Sequence, residues 1–157
     1  MRLALGTAQF GLAYGLANTE GQISQSSALE ILEYCKFIGL DTLDTAIAYG
    51  ESEQCLGSVG VTNFNVITKL PCIPEGCADI ENWIMEEVDA SISRLNGISL
   101  YGLMLHRPEQ LLGPYGQEIM SALWSLKKSG IVQKIGISVY SPDEFTALFS
   151  EYNFDIV

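Results

Sequence analysis

Three apolar runs in this chain each stop at an ionisable side chain. Leu40 to Leu43 leads into Asp44, Val66-Ile67-Thr68 into Lys69, and Leu103-Met104-Leu105 into His106. Each run has strand length, and each is followed by Gly, Pro or a polar helix start. A buried parallel strand reads as a short continuous apolar run, because helices cover its faces. The place where such a run ends in a functional group is the C-terminal rim of a parallel sheet, where barrel enzymes build their sites.

The elements between these runs agree. Leu3 to Leu5 predicts a short buried strand ended by Gly6-Thr7, and residues 7 to 22 predict a Gly-rich loop. Ser24 is the expected N-cap of a helix to about Ile38, with Ala28, Ile31, Leu32, Cys35 and Ile38 at helical spacing and Gly39 as the stop. Strands are expected at Thr42 to Asp44, Asn65 to Lys69, Leu100 to His106 and Lys134 to Val139. Helices are expected at Ser52 to Ser58, Ile80 to Leu95, Gln117 to Ser129 and from Ser141 to Glu151. In the last, Ser141, Pro142 and Glu144 form an N-cap, a first-position proline and a capping box. A further strand is expected to open at Phe154. Strand and helix alternate with short links, which argues for an α/β fold with a parallel sheet and no second domain.

The motifs on this frame resemble the aldo-keto reductase family. The matching residues are Leu43-Asp44-Thr45-Ala46, Tyr49-Gly50, Ser52-Glu53, Thr68-Lys69 and Leu105-His106-Arg107-Pro108. Leu5-Gly6-Thr7 and Ile135-Gly136-Ile137-Ser138 add to the likeness, which covers essentially the whole chain. The resemblance implies a (β/α)8 TIM barrel. Such a barrel typically needs about 250 residues, and the chain has 157. The expectation is therefore a truncated barrel: residues 1–157 as the N-terminal portion of one domain, with about five βα units and the start of strand six.

The resemblance also implies NADP(H) as cofactor and a small-molecule carbonyl (aldehyde, ketone or sugar) as substrate. Tyr49 becomes the general acid, Lys69 the ammonium beside it, Asp44 the partner of Lys69, and His106 the donor that orients the carbonyl. A free tyrosine titrates near about 10, and an adjacent ammonium lowers that value, so Lys69 is expected to bring Tyr49 down. Gly6, Thr7, Asp44 and Ser138 are the expected cofactor contacts. The family often has Asn after Ser138, whereas Val139 stands here. The family's grip on the adenosine 2′-phosphate comes after its late strands, beyond residue 157. A non-catalytic binding or regulatory subunit, or an inactive fragment, is the competing expectation; the intact tetrad argues against the former.

Charge and cysteine content narrow the remaining classes. A net charge of −11 opposes nucleic acid and anionic membranes. No run approaches the roughly 20 apolar residues of a membrane span. Cys35, Cys55, Cys72 and Cys77 match no zinc spacing, and a single histidine adds little, so no metal is expected. Reduced thiols and the lack of a signal-peptide pattern predict a cytoplasmic protein. Trp83 and Trp124 are expected to pack in helices. Nothing in the chain encodes an oligomeric state.

Overall fold

A computed structural model describes residues 3–157. The elements run β1 (Leu5–Gly6), α1 (Ala8–Gly11), α2 (Gln25–Phe37), β2 (Thr42–Asp44), α3 (Ser52–Val59), β3 (Asn65–Leu70), α4 (Ile80–Arg94) and β4 (Leu100–Leu105). A 3-10 turn (Pro108–Leu112), α5 (Gly116–Lys128), β5 (Val132–Ile137) and α6 (Pro142–Glu151) complete the order. The five strands form one parallel sheet in the order β1-β2-β3-β4-β5. Sequential order with a helix after each strand is the wall of a βα barrel.

Strand register sorts the side chains onto two faces. Leu43 aligns with Val66, and Thr68 aligns with Leu103 and Leu103 with Ile135; all five lie on one face and are fully buried. The four apolar ones meet Leu32, Ile84, Leu95, Leu123 and Leu126 of the helical layer in the main core. Truncating one of these leucines to alanine would cost about 2–5 kcal/mol. The other face carries Gly6, Asp44, Ile67, Lys69 and Met104, which line the concave side. Gly102 and Gly136 continue that side and leave room for Ile156: a methyl at Gly102 would stand 2.8 Å from Ile156 Cδ1.

Local signals place the helices as the residues suggest. The Ser24 side chain accepts from the Ser27 N–H, and Gly39 takes φ +72° just after α2. Asp79 caps α4 by accepting from the Asn82 N–H. Ser141 caps α6 by accepting from the Glu144 N–H, while Glu144 accepts from the Tyr140 N–H, one residue before the position a capping box uses.

Several expectations are corrected. β1 starts later than Leu3, which is exposed, because this strand pairs only with β2 among the described residues. The 7–22 stretch contains the short helix α1. Ile38 is exposed at the end of α2. In α4 the buried face passes from Val88 to Ser91 and on to Leu95, leaving Ile92 half-buried. The 3.6-residue turn explains this drift, since a strict four-residue stripe rotates off the core. Trp124 is partly exposed beneath Lys127, whereas Trp83 packs against the core. The segment from Phe154 forms a single parallel bridge, Gly136 to Ile156, in place of a full strand.

Candidate active site

The sheet delivers its ionisable residues to one rim. Asp44 ends β2, Lys69 is the next-to-last residue of β3, and His106 directly follows β4. The His106 N–H donates to Leu70 O at 3.0 Å and the Ser138 N–H to Leu105 O at 3.0 Å. The parallel ladder therefore continues one residue past each strand and fixes both backbones. Tyr49 lies in the turn between β2 and α3, where its N–H donates to Ala46 O.

Lys69 is the hub. It is buried, and its ammonium donates to Asp44 Oδ1 at 2.6 Å, to Thr45 O at 2.9 Å and to the Tyr49 phenol oxygen at 3.5 Å. An ammonium has three donors, so every one has a protein acceptor, and the phenol holds the loosest. The His106 ring meets the Tyr49 ring edge-on, with centroids 5.6 Å apart at 85°. The four residues expected to act together are thus contiguous.

The electrostatics differ from expectation at Tyr49. Its phenol lies above the ordinary tyrosine value, first because of burial, then because of the Asp44 charge, with Tyr140 and Tyr14 adding to it. The Lys69 ammonium is matched by Asp44 at close range, so the phenol meets an ion pair and not a lone cation. His106 is held below its ordinary value by burial, then by the charges of Lys69 and Arg107, with Asp44 opposing. Both groups are therefore uncharged at neutral pH: a protonated phenol and a neutral imidazole. Arg107, which had no role from sequence, keeps a positive charge next to that imidazole.

The rim opens onto a cavity of about 580 Å³ lined by Gly6, Asp44, Lys69, Ser138 and Val139, with Ile67 and Met104 among its apolar walls. Of the expected cofactor contacts, Gly6, Asp44 and Ser138 line it. Thr7 does not. It is fully buried, its N–H donates to Asp44 O, its hydroxyl donates to the same oxygen, and its carbonyl accepts from Phe10 and Ser52. Thr7 belongs to the framework under the site. A separate hollow of about 390 Å³ lies between the loops after β3 and β4, near Ile73, Cys77 and Tyr115, and contains none of the four rim residues.

Sequence reasoning missed the buried polar groups behind the rim. Glu53 accepts from Thr68 Oγ1 and Ser91 Oγ at 2.6 Å each and from Arg94 Nε at 2.7 Å. Ser52 joins Thr7 and Thr45 in a buried hydroxyl cluster. The only signal was their place in the Ser52-Glu53 motif. Among the described residues no cluster of metal-binding side chains occurs, and no helix is long and apolar enough to cross a membrane.

Known proteins carry the same frame. YcsN of Bacillus subtilis, described as an uncharacterised oxidoreductase, is 28% identical over 149 residues, covering 83% of this chain and 49% of its own length. The aldo-keto reductase AKR11C1 of Bacillus halodurans, in its holo form, superimposes with a TM-score of 0.75 at 23% identity, over 98% of this chain and 51% of that one. An aldo-keto reductase from Klebsiella pneumoniae solved with NADPH gives 0.68 at 21% identity, over 95% and 49%. The chain thus spans about half the length of these relatives, and its fold corresponds to about half of their barrels. The aldo/keto reductase profile matches residues 2–157, and the chain belongs to that family.

Proposed function

We propose that these residues form the N-terminal part of a single barrel domain that reduces a small carbonyl compound to an alcohol with NADPH or NADH. The observation that carries this reading is the buried Lys69 ammonium joining Asp44 to the Tyr49 phenol beside His106. A merely structural ion pair has no need of a phenol and an imidazole at its open side.

The cavity suits one end of the cofactor. Its volume of about 580 Å³ falls in the range of small-molecule sites, and among the described residues nothing beyond its chain neighbours stands within 4 Å of where a Gly6 side chain would begin. Gly6 and Ser138 would hold the nicotinamide portion. Among the described residues Lys69 is the only cation lining this cavity, and it is already paired with Asp44. The bound nicotinamide supplies a hydride to the carbonyl carbon.

The protein's part is the proton and the placement. As the carbonyl oxygen gains negative charge, Tyr49 gives it the phenolic proton, forming the O–H bond of the alcohol and leaving a phenolate. Lys69 stabilises that phenolate at 3.5 Å. Neutral His106 donates an N–H to the same oxygen and orients it. A phenol raised above its usual range stays protonated through neutral pH, ready for reduction.

The NADPH complex of the Klebsiella pneumoniae relative supports the cofactor assignment. The free state of all four cysteines supports a cytoplasmic setting. The test is NADPH oxidation against a panel of aldehydes, ketones and sugars. Tyr49→Phe should lower kcat by about 10²–10⁴-fold with the fold intact. A variant as fast as the wild type would remove Tyr49 from the chemistry.

A further inference from the structure

We infer that Ser52, through a buried chain of hydroxyls, is a positioning residue for Tyr49. The inference rests on the reading of Tyr49 as the acid, but the placement it describes is measurable without catalysis.

The hydroxyls form a directed path. Thr45 Oγ1 lies 3.1 Å from Ser52 Oγ, Ser52 Oγ lies 3.0 Å from Thr7 Oγ1, and Thr7 Oγ1 donates to Asp44 O at 3.0 Å. The donors run in that order, Thr45 to Ser52 to Thr7 to Asp44 O, with the Ser52 proton shared between Thr7 Oγ1 and Thr7 O at 2.9 Å. The path begins and ends on the adjoining residues 44 and 45. Asp44 pairs with Lys69 through its side chain, and Thr45 O accepts from the same ammonium. Thr7, Thr45 and Ser52 are all fully buried, so no water replaces a lost partner cheaply.

Ser52 also closes the turn that carries Tyr49. Its N–H donates to Tyr49 O at 3.1 Å. It opens α3, yet the preceding Glu51 gives that helix no side-chain cap. The Ser52 hydroxyl points back into the sheet ends and ties the turn to the strand tops that hold Lys69. α1 presses from the other side: a methyl on Gly11 would collide with Tyr49 O and Ser52 N. The turn is wedged between these two supports. The Tyr49–Lys69 contact, at 3.5 Å, is the longest bond in the cluster and the first that a small shift would break. A displacement near 1 Å can cost on the order of a hundredfold in rate.

The test uses this chain labelled with 13Cζ-tyrosine, the Tyr49 resonance being identified by its loss in Tyr49→Phe. Ser52→Ala should move that resonance and shift its titration down toward the ordinary tyrosine value, because a loosened ring loses burial. Ser91→Ala removes an equally buried hydroxyl, one bonded to Glu53. It should lower Tm but leave the Tyr49 signal in place. If Ser52→Ala does not fold, Thr45→Val interrupts the same path and should move the signal, while Thr45→Ser should restore it. Where carbonyl reduction is measured, Ser52→Ala should reduce kcat about tenfold or more with KM little changed. An unmoved Tyr49 signal in folded Ser52→Ala or Thr45→Val protein overturns the inference. If Tyr49→Phe retains activity, the acid assignment fails separately, whatever the resonance does.

Discussion

Two ion pairs, Asp44–Lys69 and Glu53–Arg94, sit close together in this fold and have opposite designs. In the first the cation is buried, with its side chain 6% exposed, and the carboxylate is 35% exposed. In the second the Glu53 side chain is buried, at 2% exposed, and the Arg94 side chain is 25% exposed. Glu53 spends its acceptors on Thr68, Ser91 and Arg94, so it fastens α3, β3 and α4 on the helical side of the sheet. Lys69 spends one of its donors on the half-buried Tyr49 phenol and itself lines the concave-side cavity. Every hydrogen-bond partner of Glu53 shown here belongs to the framework of β3 and α4. The Lys69 ammonium reaches a phenol and lines a cavity, which is the basis for the chemical role proposed for it.

Swapping the damage between the pairs sharpens this contrast. Lys69→Met keeps the length of the side chain and removes the charge. The reductase kcat should fall on the order of 10²-fold or more. Stability should change little, because Asp44 can be solvated once alone. Activity assays together with thermal melts check both halves, and a stable variant with full kcat would make Lys69 structural. Glu53→Ala should do the reverse. It strands Thr68, Ser91 and a largely buried guanidinium, so denaturant unfolding should show a loss of about 3 kcal/mol. The folded fraction should keep its kcat. Arg94→Met should also cost about 3 kcal/mol in the same measurement, because it leaves the buried Glu53 carboxylate with two hydroxyl donors and no cation. Its Nη2 nitrogen is buried without a hydrogen-bond partner among the described residues, which offsets part of that cost.

The contrast also explains what could be read in advance. β2, β3 and β4 were legible because each apolar run ends abruptly in Asp44, Lys69 or His106, and those endings are local. The tetrad was legible for the same reason, with the family motif joining the strand ends in space. Glu53 was not, because its partners Ser91 and Arg94 lie 38 and 41 residues away on another helix. Thr7 reads as a strand-ending residue open to a ligand, but its hydroxyl finds Asp44 O 37 residues away. The direction at Tyr49 was misjudged because burial and the Asp44 charge depend on packing, while the nearness of a lysine follows from the motif alone. β1 and the Phe154 segment fell short because few residues pair there, and pairing is a property of neighbours.

The central claim is that Tyr49 gives up a proton as a neutral phenol. The most direct measurement is the single-turnover rate of carbonyl reduction by NADPH as a function of pH. With the phenol raised and His106 held low, the rate should stay level through neutral pH and fall only above about 10, the ordinary tyrosine value. Tyr49→Phe should be slow throughout and lack that fall. A wild-type rate already falling between about 7 and 9, or a Tyr49→Phe profile that overlays the wild type, would contradict the account.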